Sequence, residues 1–176
     1  MCAQGKAIHE TDRLIIREMT RADAPFLLRL LNEPGWIEHI GDRGVRTETD
    51  AVRYAEDGPM RSYAEHGFGL CLVIEKQTGD PVGICGLVVR AGLDAPDLGF
   101  AFLAAASGRG LATEAGRVVL DHAHAERGFP SILAITSPGN AASIRVLEKL
   151  GFTGAGSVRL SEDAAPSSLF EHRSFC

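Results

Sequence analysis

The sequence has no apolar run near the length of about 18 residues that would span a membrane. Its opening stretch, "MCAQGKAIHE", has no apolar segment of the secretory kind. There is no long basic run either. Arg43, Arg46, Arg53 and Arg61 are scattered among acids and the net charge is -5, which argues against nucleic acid as a partner. Only four cysteines occur, Cys2, Cys71, Cys85 and Cys176, and none has CxxC spacing. That excludes a zinc ribbon and predicts reduced thiols in a cytoplasmic protein. No metal-ligand cluster, Ser-His-Asp arrangement, internal repeat or domain linker stands out. What remains is ordinary globular composition, with 45% hydrophobic and 23% charged residues. The 176 residues suit one domain, as a monomer or homodimer.

Local patterns predict the elements. "DRLIIRE" (12–18) reads as a strand, and "TRADAPFLLRLLN" as a helix with Leu27, Leu30 and Leu31 on one stripe and Pro25 in its first turn. Residues 32–46, with "NEPGW" and "GDRG", read as a loop. A helix from about Thr47 to Ala64 follows, capped by Thr47 or Thr49 and interrupted near Gly58-Pro59. "FGLCLVIE" (68–75) and "PVGICGLVVR" (81–90) form a hairpin through "KQTGD". Both are apolar on both faces, so the sheet should be covered on both sides.

The strand "PDLGFAFL" (96–103) puts Leu98, Phe100 and Phe102 on one face and Asp97, Gly99 and Ala101 on the other. A helix from about 110 to 126 carries Ala112, Ala115, Val119 and Ala123 at helical spacing and stops at Gly128. Strand "SILAITS" precedes a short helix capped by Asn140 and ended near Gly151, and two strands close the chain. The order gives an α/β fold with a mixed sheet.

Between the two central strands lies "SGRGLATEA" (107–115). A strand leading through glycines into a helix presents unpartnered amides and the positive end of the helix dipole, a site suited to phosphate. The same pattern also serves as a plain turn and cap. A P-loop is excluded because no lysine follows Gly110. The dinucleotide fingerprint fails because Thr113 holds its third glycine position and the next strand ends in Ser137, not an acid. The pyrophosphate loop of acetyl-CoA enzymes, Q/R-x-x-G-x-G/A, matches at Gly110 and Ala112, with Ser107 at its first position.

On these residues the sequence resembles the GNAT superfamily of acyl-CoA-dependent N-acetyltransferases. The branch it is most similar to is the RimJ/RimL type, which acetylates ribosomal-protein N-termini. "TDRLIIREMTRADA", "DLGFAFLAAASGRGLATEA", "NAASIRVLEKLGF" and "FEHRSF" carry the resemblance over about residues 10–175. It is weakest over 33–66, which shapes the acceptor site in the family.

The resemblance implies a mostly antiparallel sheet, helices on both faces, and a splay between the fourth and fifth strands. It implies that the backbone of Ala101, Phe102 and Leu103 pairs with the pantetheine arm of acetyl-CoA. Amides of Gly108, Arg109, Gly110, Leu111, Ala112 and Thr113 would hold the pyrophosphate, and Asn140 would contact the pantetheine side while also capping its helix.

The implied reaction is attack of a neutral amine on the thioester, with a backbone N–H facing the developing oxyanion. The acceptor is a protein N-terminal α-amine, or a small or antibiotic amine. An acyl-CoA-binding sensor and a nucleotide-binding oxidoreductase are the rival readings. Asp97 is the candidate base through a water, or alternatively an ion-pair partner. Leu147 stands where many GNAT enzymes carry an acidic tyrosine, which leaves Ser143 as the nearest proton donor or N3 capping residue. Glu33, Trp36, His39 and Asp42 are candidate acceptor contacts. His122 and His124 read as packing or surface residues.

Overall fold

Leu14 and Ile16 are fully buried while Ile15 and Arg17 are half-exposed, the alternation of a strand with one face in the core. The computed structural model describes residues 5–162 and 164–174, so Cys2 and Cys176 lie outside the described residues. Within them an eight-stranded sheet holds β1 (Ala7–Glu10), β2 (Leu14–Arg17), β3 (Leu70–Glu75), β4 (Pro81–Val88), β5 (Asp97–Phe102), β6 (Ser131–Thr136), β7 (Thr153–Val158) and β8 (Ser167–Arg173). Their order is β1-β2-β3-β4-β5-β6-β8-β7. All pairings are antiparallel except β5 with β6.

Helices cover both faces. On one face α1 (Ala24–Leu31), α2 (Pro34–His39) and α3 (Glu48–Ala55) pack with Leu72 and Ile84. On the other, α5 (Leu111–Ala125) and α6 (Ala141–Leu150) pack with Leu14, Val73, Cys85 and Leu98. Alternate residues of β3 and β4 feed the two clusters, which is why both strands are apolar throughout. Cys71 and Cys85 are buried, unbridged thiols inside this core. Among the described residues no helix is long and apolar enough to cross a membrane.

Two expectations are corrected. Ala7–Glu10 forms an edge strand that the sequence did not announce, so the splay expected between strands four and five falls between β5 and β6 here. Residues 34–39 are a helix, not a loop: Pro34 takes the first helical position, where its missing N–H costs nothing, and Trp36 anchors it in the core. The interruption expected near Gly58-Pro59 is present: α3 ends at Ala55. A π turn over Glu56–Met60 absorbs the proline and runs directly into α4 (Arg61–His66).

Candidate active site

Strand β5 pairs with β6 only at Asp97↔Leu133, where the Leu133 N–H donates to the Pro96 carbonyl at 2.9 Å. Beyond that point the strands part, while β6 keeps six-residue register with β8. The edge of β5 facing this gap follows from its other pairing. Leu103 N–H donates to Val82 O at 3.0 Å, toward β4. By the alternation of an antiparallel ladder, Ala101 also turns its backbone to β4, and Phe100 and Phe102 turn theirs to the gap. The expectation for Ala101, Phe102 and Leu103 is therefore narrowed. Phe102 faces the opening, Phe100 joins it, and Ala101 and Leu103 do not.

After β5 the chain makes a 3₁₀ turn at Ala104–Ala106 and reaches the glycines. Gly108 and Gly110 have φ of +73° and +77°, left-handed conformations that explain glycine at both. Among the described residues no protein group accepts from the amides of Gly108 through Thr113. Six donors thus line one turn at the positive end of the 15-residue helix α5.

Nearby carboxylates are already occupied. Glu114 takes Arg13 Nε at 2.7 Å and Thr11 Oγ1 at 2.5 Å, and these bonds hold its carboxyl below the usual range against the opposing effect of burial. The Arg109 side chain turns away from the amides to pair with buried Glu75, its Nη1 at 3.0 Å from Oε2. Both pairs fix the loop to β2 and β3.

At the start of α6, Asn140 Oδ1 accepts from the Ser143 N–H at 3.1 Å. This is the cap expected of Asn140, and it places Ser143 at N3. The Asn140 Nδ2 and the Ser143 hydroxyl have no protein partner among the described residues.

The family model described as Acetyltransferase (GNAT) domain matches residues 13–153. The chain belongs to the GNAT acetyltransferase family. It is 31% identical over 169 residues to an uncharacterized protein of Bacillus subtilis, YkkB, covering 94% of this chain and 95% of the relative. In fold it is similar to an acetyltransferase from Agrobacterium tumefaciens str. C58 (TM-score 0.80, 20% identity, 99% and 98% of the two chains). It is also similar to RimL, a ribosomal L7/L12 alpha-N-protein acetyltransferase in complex with coenzyme A (TM-score 0.78, 16% identity, 96% and 98%). As a GNAT enzyme it is an acyl-CoA-dependent N-acetyltransferase with acetyl-CoA as co-substrate and an amine as acceptor. The open strand edge and the free amide turn fit that co-substrate: one offers main-chain partners to a pantetheine amide, the other to a diphosphate.

Beside the parted strands lies a cavity of about 850 Å³. Its walls bring together β5 from Asp97 to Ala101, the end of β6, and Asn140, Ser143 and Leu147 of α6. Trp36, His39 and Tyr54, from the helical segment between β2 and β3, also line it. The glycine turn does not line the cavity; it follows the far end of β5. Leu147 is almost fully buried, so no helix tyrosine stands here.

Asp97 lies in the wall with 1% exposure. Arg90 Nε donates to both its oxygens, at 2.9 and 3.1 Å. Burial pushes the Asp97 carboxyl up and Arg90 pulls it back, with a net rise.

Of the acceptor candidates, Trp36 and His39 line the cavity, and His39 Nδ1 lies 3.3 Å from Ser137 Oγ. Glu33 and Asp42 do not. Glu33 accepts from the Ala104 N–H at 3.2 Å, and Asp42 pairs with Arg46 on the surface. His124 bonds His172 at 2.9 Å and His122 lies 3.2 Å from Glu126, and neither lines the cavity. Sequence reasoning missed Tyr54, Arg43 and Arg90, because no motif marks them and only the fold carries them to one cavity.

Proposed function

We propose that this acetyltransferase modifies a protein N-terminal α-amine, as the RimJ/RimL type does. The observation that carries this reading is the Asp97–Arg90 pair. Asp97 is the buried carboxylate of the cavity wall; burial raises its basicity, and the guanidinium that engages both its oxygens takes part of that rise back, so it is a weaker base than a buried carboxylate left alone. At pH 7.5 roughly a third of α-amines are already neutral, against about a thousandth of lysine side chains. A weak base acting through a water is adequate for the first and poor for the second.

The other roles follow from placement. Amides of Gly108–Thr113 hold the diphosphate. Phe100 and Phe102 offer backbone partners to the pantetheine arm, and an N–H of this strand faces the thioester oxygen, where negative charge grows as the amine attacks. Asn140 Nδ2 reaches the pantetheine side, and the Ser143 hydroxyl meets the departing thiolate. A thiol of ordinary pKa near 8.5 needs only such weak assistance.

The test measures thiol release from acetyl-CoA with peptides bearing a free α-amine and no lysine, Nα-blocked peptides bearing one lysine, and small amines. Preference for the first group by kcat/KM is expected. A preference for lysine peptides, or turnover of small amines alone, would overturn the assignment.

A further inference from the structure

Three side chains that line the cavity carry hydrogen-bond donors with no protein partner among the described residues. Arg90 commits its Nε to Asp97, while its two Nη groups have no acceptor among the described residues. Its side chain is 31% exposed and that of Asp97 1%, so the carboxylate is the fixed anchor and the guanidinium the accessible end. The Tyr54 hydroxyl has no hydrogen-bond partner among the described residues, and the Arg43 guanidinium has neither a hydrogen bond nor an ion pair. All three residues line the same cavity, and Tyr54 lies within electrostatic reach of both arginines.

The remaining cavity arginines are matched. Arg61 pairs with Asp57 at 2.8 Å, and Arg53 lies 3.7 Å from Asp50. The carboxylate left over, Glu65, sits on α4 beside His66. With Arg90 balanced by Asp97, the arginine charge of the cavity left without an ion pair among the described residues is that of Arg43. Guanidinium N–H groups are donors only, so the free ends of Arg90 and Arg43 are open to an acceptor from outside the protein. A planar two-oxygen anion satisfies them best, because the guanidinium fork matches its geometry.

We infer that Arg90, Arg43 and Tyr54 form a subsite for a carboxylate carried by the acceptor amine. Asp97 is the positioning residue that aims Arg90. The inference rests on the transfer reading above and adds the acceptor's chemical class. The carboxylate has two sources, an acidic side chain next to a peptide's α-amine or the free carboxylate of an amino acid.

The experiment compares matched acceptors by acetyl-CoA-dependent thiol release: Ala-Glu-Gly-amide against Ala-Gln-Gly-amide, and alanine against alaninamide. In one pair the carboxylate member should show a KM roughly ten- to a hundredfold lower, the range of a charged hydrogen bond. The pair that shows it names the source. Arg43→Ala should bring that ratio close to one through KM, Tyr54→Phe should reduce it in part, and Arg43→Lys should restore part of it. Equal KM values within both pairs, with thiol release intact, would overturn the subsite and leave the transferase reading standing. No thiol release with any of the four would count against the transferase reading and against the subsite with it.

Discussion

Gly86 of β4 lies so close to Gly69 that a Cβ on it would come within 2.1 Å of the Gly69 carbonyl oxygen. The obstacle is backbone, which cannot rotate away as a side-chain tip can. Gly86 also stands opposite Gly99 of β5, so this spot sets how closely the strand carrying Asp97 packs. Gly86→Ala should cost about 3 kcal/mol, the upper end for overpacking, and should lower the thermal unfolding midpoint clearly. An unchanged midpoint would contradict the packing described.

Asn140 holds two jobs in one side chain. Its oxygen caps α6 and its amide N–H groups are free. Asn140→Asp keeps the oxygen and should leave stability nearly unchanged, while weakening coenzyme A binding. Asn140→Ala loses the cap as well, at about 1 kcal/mol. Unfolding and calorimetric titration together separate the roles, and equal coenzyme A affinity in all three proteins would leave Asn140 as a cap alone.

Gly110 sits at the mouth of the amide turn with φ of +77°. Gly110→Ala forces an L side chain into the left-handed region at about 1 kcal/mol. It also adds a methyl group at this turn, 3.6 Å from Arg13 Nη2. Affinity for coenzyme A should fall, whereas competition by pantetheine, which lacks the diphosphate, should not. A parallel loss for both ligands would place the diphosphate elsewhere.

Asp97 sets the acid side of the pH–rate profile if it takes the proton. Its carboxyl is raised above the ordinary range by burial, so kcat should climb as pH rises through that raised value. Asp97→Asn should lower kcat by roughly a hundredfold and remove that limb. A variant that keeps the limb would assign it to another group.

His9 packs edge-on against His122, with ring centroids 4.7 Å apart. Burial, then His122, pull its pKa from 6.5 down to about 4. The unfolded chain therefore binds a proton at His9 between those values that the folded chain refuses. The resulting stability is complete above about pH 6.5 and declines as pH falls toward 4. Unfolding midpoints of His9→Gln should fall less steeply than those of the parent across this window.

The glycine turn, the Asn140 cap and the two-sided hairpin were legible because each is written in a few adjacent residues. Left-handed glycines at 108 and 110 announce a turn before a helix whatever surrounds them. The alternation Leu98, Phe100, Phe102 assigns faces in the same local way, and those residues do pack into the core with α5. Leu103 was misjudged because a ladder's direction depends on its neighbour, and that neighbour, Val82, is fixed by register.

Chain chemistry alone thus determined the α/β layering, the family's strand–loop–helix core and the amide turn, since periodicity and backbone preference act over a few residues. Only the tertiary structure decided that Arg90 grips Asp97, that Pro34 starts a helix, and that Arg43 and Tyr54 line the same cavity as Arg90. Those outcomes depend on which distant segments meet, and long-range contact is set by the packing of the whole sheet.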